Sequence, residues 1–462
     1  MPVPSHRRVA AAAPDQQKVT VMGLLPEFGN LFFTLAAFVV ALSIIVTVHE
    51  YGHYIVGRWS GIHAEVFSLG FGPVLVSRVD RRGTRWQIAA LPFGGYVKFL
   101  GDANAASSAA DDAVMLHLDA KARRRTMHGA PLWARAATIF AGPAFNFLFS
   151  IAVFAAFIAV KGLPDETPRV GAIHPMPGVM ELAEGDLITA VAGQEVADLA
   201  AYYTLADRLD PAPQVTYTVE RGGQILNVTG PHPMPARAAG IALNSAARDA
   251  GMEAGDVVLE VDGTPVWAFR QLPPMVDAAD GAAVALHLWR GGDTLDVSLT
   301  PRRTDLPLPD GGFETRWLIG LQSGTFFAHP MRSVSLTESL PLAVGEIGDI
   351  VTRSISGLYY MVTGAISTCN LSGPVGIATT SAEMASDGLA SFIWFIAVLS
   401  TAVGLLNLFP IPILDGGHLV FHAYEALVGR APSERVLGAL MTAGLVLLGA
   451  MMLFALGNDL LC

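Results

Sequence analysis

Residues 31–48 form an apolar run without a single charge, and it leads directly into His49-Glu50-Tyr51-Gly52-His53. A run of this length is long enough to cross most of a bilayer as a helix. Two histidines at i and i+4 share one face of that helix. They can close on a single metal ion with the glutamate beside it. Ionisable groups at membrane depth are costly and are generally kept there for a function. The competing reading is a pair of helix histidines satisfied by packed neighbours, and the motif alone does not separate the two.

The rest of the composition agrees with a membrane setting. Of 462 residues, 52% are hydrophobic and 15% charged, against about a quarter charged in ordinary soluble domains. The net charge of −11 and the lack of a basic stripe with interleaved aromatics exclude nucleic acid as an expected partner. Cys369 and Cys462 are too few for a disulfide framework or a thiolate zinc site. Residues 1–28 read as a disordered tail, within which Met1 and Met22 both serve as readable starts.

Four stretches read as transmembrane helices: 29–56, 135–161, 388–420 and 436–457. Basic residues orient them. Arg58, Arg78, Arg81, Arg82, Arg85, Lys98, Lys121, Arg123, Arg124, Arg125 and Arg135 crowd between the first and second spans, whereas the long region before the third span is far sparser. The positive-inside rule therefore puts 57–134 in the cytoplasm and both termini plus the large 161–388 region outside. His49 and His53 then lie in the cytoplasmic half of the bilayer.

Within 57–134, short β-like runs at 66–73, 86–91 and 96–100 are too apolar for a solvated loop and too short to span. They fit a β element dipping into the membrane against protein or a wet cavity, followed by a flexible linker over 101–129. The second span carries Ala141-Gly142-Pro143-Ala144-Phe145-Asn146, where small residues allow close helix approach and the mid-membrane asparagine needs a partner. Outside the membrane, Glu184-Gly185-Asp186-Leu187-Ile188 recurs as Ala254-Gly255-Asp256-Val257-Val258, and Arg221-Gly222-Gly223 recurs as Arg290-Gly291-Gly292. The two copies, 168–232 and 236–303, resemble bacterial PDZ domains, whose usual mode is capture of an extended peptide or C-terminus at a sheet edge; a rigid spacer is the alternative. Residues 331–384 read as an interfacial amphipathic region with a tight turn at 370–377.

The third span ends in Asn407-Leu408-Phe409-Pro410-Ile411-Pro412-Ile413-Leu414-Asp415-Gly416. Two prolines break a helix while the chain is still apolar. A span running inward brings Asp415 to the depth of His49 and His53. Two histidines, one carboxylate and an open position make a catalytic zinc site rather than a closed structural one.

These motifs together resemble the site-2 protease family of intramembrane zinc metalloproteases, in its bacterial RseP-like form, over most of the chain. The resemblance implies Zn²⁺ held by His49, His53 and Asp415, Glu50 as catalytic base, and Asn407 as a substrate-binding residue; Asn146 is a further candidate for lining the same cavity. It also implies a single-pass transmembrane substrate similar to an anti-sigma factor, already shortened by another protease. The expected fold is a polytopic α-helical membrane protein of four spans with a membrane-associated β element and two tandem PDZ-like α+β domains. The competing readings are a non-proteolytic PDZ scaffold or chaperone with a vestigial metal site, and a cation transporter, which lacks the expected inverted repeats. His418 and His422, again at i and i+4, read either as neighbours of Asp415 or as solvated or core histidines.

Overall fold

The computed structural model describes residues 28–103, 111–308 and 312–461; the expected disordered tail, apart from Phe28, which begins the first helix, and Cys462 lie outside them. Four helices among the described residues are long and apolar enough to cross a membrane. The first, α1 (Phe28–Trp59), carries the histidine pair in its second half. It continues past the expected end at 56 because Gly61 is the first residue to take a left-handed backbone.

A long antiparallel hairpin follows, β1 (Ala64–Val79) and β2 (Arg85–Phe99). Both strands bend, so residues 66–69 pair with 95–98 on one side and 85–88 on the other, and 85–89 pairs in turn with 74–79. Two strands thereby make a four-segment sheet whose outer edges are 74–79 and 95–99. Phe67, Val97 and Phe99 pack with Tyr54, Met127 and Ala134 in one buried cluster. Each such side chain contributes about 1.5–3 kcal/mol on burial, which fixes the sheet against α1 and α2 (Leu132–Lys161). The stretch expected as a flexible linker contains two short helices, capped by the side chains of Asp111 and Asp119.

The repeated region builds two units of one plan. In the first, β3 (Leu187–Val191), β4 (Val215–Arg221) and β5 (Gln224–Gly230) pack on α3 (Leu199–Arg208). In the second, β6 (Val257–Val261), β7 (Val284–Arg290) and β8 (Asp293–Leu299) pack on α4 (Leu272–Ala278). The two recurring sequence signatures meet in space. Arg221 grips Asp186 through Nε and Nη2 at 2.6 and 2.7 Å, and Arg290 grips Asp256 at the same distances. The units extend beyond the repeat's sequence boundary at 303. A second hairpin, β9 (Arg302–Pro307) and β10 (Phe313–Leu318), lies on α4. Leu321–Gln322 then pairs with Gly240–Ile241, and Phe326 and Phe327 return to the core of the first unit beside Tyr202 and Tyr217. The second unit is therefore inserted into the first.

The interfacial region resolves into two helices, α5 (Leu336–Val362) and α6 (Pro374–Asp387). Ala343 on α5 packs with Phe154 and Ala155 of α2 and Ala397 of α7 (Leu389–Asn407). The turn expected at 370–377 is in part the start of α6. Its backbone N–H groups at Gly373, Val375 and Gly376 donate to Asp459 at 2.7, 2.9 and 3.2 Å. The expected single helix over 388–420 is two, because Pro410 and Pro412 offer no N–H; α8 (Asp415–Val428) starts at the carboxylate itself. The last helix, α9 (Glu434–Leu461), supplies Asp459.

Asp186 is fully buried. Burial alone would raise its pKa, but its hydrogen bonds and charge pairing with Arg221 prevail and lower it. A carboxylate held below its unfolded pKa stabilises the fold above that unfolded value, and the contribution is lost as pH falls through the folded one. Replacing Arg221 with Met should cost about 1–3 kcal/mol, since the carboxylate stays buried without its partner. The deficit should shrink as pH falls from 7 towards 4, because burial without the guanidinium raises the pKa of Asp186 and lets it protonate in the variant. Thermal unfolding of the two proteins from pH 4 to 7 checks both statements.

Candidate metal centre

The helical spacing in α1 turns His49 and His53 onto one face, with their rings 4.7 Å apart and nearly perpendicular. Asp415 enters from α8. Its Oδ2 lies 3.0 Å from His49 Nε2 and 3.5 Å from His53 Nε2, and the two Nε2 atoms are 3.1 Å apart. This is the group of His, Cys, Asp or Glu residues found among the described residues with ligand atoms close enough to share one ion.

The surroundings set the protonation of the ligands. His53 Nδ1 lies 2.8 Å from the carbonyl of Thr138 in α2. A carbonyl only accepts, so the proton sits on Nδ1 and Nε2 presents a lone pair. That lone pair faces His49 Nε2 and a carboxylate oxygen with no aligned hydrogen-bond donor. Acceptors pressed together in this way are reconciled by a cation, and the donor set suits zinc. Behind His49, the Asn146 amide sits 3.2 Å from Nδ1. Its Oδ1 is buried without a partner. A rotation of the amide lets that oxygen accept an Nδ1–H, which a metal on Nε2 requires. Asn146 is 0% exposed, so it supports His49 and does not line the cavity, contrary to the sequence expectation. Full burial of this α2 side chain between His49 of α1 and Gly404 of α7 is the reason.

Two glycines allow this approach. A Cβ on Gly52 would stand 2.4 Å from the Ala141 carbonyl oxygen, so Gly52 permits α1 to meet α2. A Cβ on Gly142 would stand 2.4 Å from His53 Nε2 and 2.8 Å from His49 Cε1, in the space the ligands need.

A cavity of about 350 Å³ opens on the three ligands, lined also by Glu50, Tyr96, Val97, Asn407 and His418. Glu50 lies against the backbone of Val97 in the 95–99 edge of the sheet. Asn407 faces the cavity, although its Nδ2 donates to Val403 in its own helix at 3.1 Å. His418 faces the cavity as well. His422, one turn on, has Nδ1 4.0 Å from Glu425, which is itself paired with Arg135. Thr138 and Gly142 are functional neighbours that residue type alone does not announce. The small-residue run before Asn146 was the available signal.

Relatives share the sequence over most of its length. The model of peptidase family M50 matches residues 37–451. A protein of Agrobacterium fabrum named as a zinc metalloprotease is 34% identical over 440 residues, covering 95% of this chain and 98% of that one. The regulator of sigma-E protease RseP of Salmonella typhimurium is 33% identical over 462 aligned residues, 93% of this chain and 99% of its own. A similarly named zinc metalloprotease of Brucella suis is 33% identical over 430 residues, 92% of this chain and 95% of its own.

Substituting Gly142 with Ala should remove stoichiometric zinc from the purified protein while leaving its helical circular dichroism in place. Metal analysis beside the spectrum checks this. Full zinc content in the variant would mean that the ligands lie elsewhere. With its histidine pair, its carboxylate and its spanning helices, the chain belongs to peptidase family M50, the site-2 proteases, and is a zinc-dependent intramembrane protease.

Proposed function

We propose that His49, His53 and Asp415 hold the zinc, that Glu50 is the general base, and that the substrate is a single-pass membrane protein cut within the bilayer. The observation that carries this reading is the convergence of Asp415 on the histidine pair beside Glu50 in one cavity. Zinc, when bound, supplies Lewis acidity at the scissile carbonyl and makes water acidic enough to attack near neutral pH. Glu50 takes the proton of the attacking water and passes it to the leaving amine. Asn407 holds the substrate backbone once its side chain swings off Val403.

A membrane helix satisfies its own backbone, so its peptide bonds must be unwound before water can reach them. The 95–99 edge supports such a step. Its Gly95, Tyr96 and Val97 line the cavity, and a sheet edge offers unpaired N–H and C=O groups to an extended segment. The charge distribution supports an orientation with this sheet and the metal centre on the cytoplasmic side and the inserted pair of repeats in the periplasm of a bacterial inner membrane.

The repeats are a nested pair of PDZ-like domains that meets the ectodomain of a prospective substrate. By likeness to the regulator of sigma-E protease, the substrate is an anti-sigma factor in envelope-stress signalling, already trimmed by another protease. The PDZ pair keeps intact ectodomains away from the site. The scaffold or chaperone reading has no specific observation in its favour, since the glutamate and all three ligand types are present.

Glu50→Gln should retain zinc and lose cleavage of a model single-pass substrate in membranes by roughly 10²–10⁴-fold; equal cleavage by both proteins would remove Glu50 from the mechanism. Because Phe326 and Phe327 complete the first repeat, excision of the PDZ pair should span 166–329 rather than end at 303. Such a chain should cut an untrimmed substrate that the full-length protein leaves intact. Unchanged selectivity, seen by immunoblot of both substrate forms, would assign the discrimination elsewhere.

A further inference from the structure

The turn joining β1 and β2 carries Arg78, Arg81, Arg82 and Arg85, all exposed. The acid among them, Asp80, is already committed. Its Oδ1 accepts from the backbone N–H of Arg82 at 2.8 Å and of Thr84 at 3.0 Å. Its Oδ2 accepts from Tyr54 Oη at 3.4 Å and Trp86 Nε1 at 3.3 Å. The nearby Glu65 is taken by Lys98 at 3.6 Å. Among the described residues, no carboxylate lies within 4.0 Å of any of the four guanidiniums. Four cations at and beside one tight turn thus have only the single charge of Asp80 among them and no ion pair of their own.

The surface beside them is apolar. Val74, Leu75, Val76 and Val79 on the outer edge of the sheet are 48–66% exposed, and Ile88 next to them is 51% exposed. An edge segment exposed on both faces, ending in a cluster of arginines, has the layering of a membrane–water boundary. Trp59, at the end of α1, is 73% exposed, as an interfacial anchor would be. An acidic soluble partner would match the arginines but not the valine-rich edge; a bilayer matches both.

We propose that the 78–85 turn docks onto anionic phospholipid headgroups and that this contact controls the protease. The side of the membrane concerned rests on the orientation proposed above. The coupling is short. Asp80 reaches Tyr54, the residue after His53, and Arg58 Nη1 donates to the same hydroxyl at 2.8 Å. Trp86 stacks edge-on against Tyr54 with centroids 5.0 Å apart. A turn seated on headgroups holds the sheet, and with it the 95–99 edge, against the helix that carries the histidine pair. A turn left without anions loses that second tie, and the edge is then held by the buried cluster of Phe67, Val97 and Phe99 alone.

The test uses the full chain reconstituted with a model single-pass substrate in vesicles of phosphatidylcholine, with or without a minor fraction of phosphatidylglycerol in both leaflets. Symmetric vesicles make the result independent of orientation. Cleavage should be at least about fivefold faster with phosphatidylglycerol, the factor a single basic residue near an anionic surface supplies, and the gain should fall as salt is raised. Arg81→Gln/Arg82→Gln should cut at the wild-type rate in phosphatidylcholine alone and lose most of the gain. Arg81→Lys/Arg82→Lys should keep it. Native mass spectrometry should show phosphatidylglycerol adducts retained by the wild type and the lysine variant and depleted in the glutamine variant, a readout that needs no activity. Equal cleavage in both vesicles, or equal adducts on all three proteins, would overturn the inference. No cleavage in any vesicle with the adducts intact would instead count against the protease reading.

Discussion

The structure depends on bringing one carboxylate from near the end of the chain to two histidines near its start, inside an apolar layer where none of them is stable alone. Asp415 stands 3.0 and 3.5 Å from the two Nε2 atoms. An isolated charge at that depth would be prohibitively costly, so helix packing must deliver all three together. Close contact of α1 with α2 at Gly52, clearance for the imidazoles at Gly142, and the helix break at Pro410 and Pro412 each serve that end.

The apolar setting that makes the site costly also accounts for its chemistry. A cavity of about 350 Å³ opens on His49, Glu50, His53 and Asp415, and the proposed mechanism confines hydrolysis to it, where these groups are fixed in advance. The orientation of those groups comes from backbone and amide partners rather than from solvent: Thr138 holds the His53 tautomer, and Asn146 supports His49. The sheet contributes from the other side. Its edge runs past Glu50, while its far turn is tied to Tyr54, one residue beyond the second histidine. The sheet and the metal centre are thereby parts of one mechanical unit.

The sequence made much of this legible, because hydrophobic length and the i, i+4 rule act locally. The four spans, the histidine pair on one helix face and the depth of Asp415 all follow from such rules. The repeat was also visible, and its two recurring pieces prove to be partners, Asp186 with Arg221 and Asp256 with Arg290. What stayed hidden depends on long-range packing. The return of Phe326 and Phe327 to the first unit leaves no periodic signature. The helix α6 begins at Pro374 in a stretch of glycine, serine and threonine, and it is capped by Asp459 from the far end of the chain. Asn146 was recognised as needing a partner, but which neighbour would claim it could not be read before α1 and α2 were docked.

The central claim is that zinc is held by two imidazoles and one carboxylate drawn from α1 and α8. X-ray absorption spectroscopy on the zinc-loaded full-length protein in detergent tests it most directly. The account predicts a light-atom shell with the multiple scattering of two imidazoles, unchanged in His418→Ala and collapsed in His53→Ala. A signal of three imidazoles that falls to two in His418→Ala would contradict it, by placing His418 rather than Asp415 on the metal.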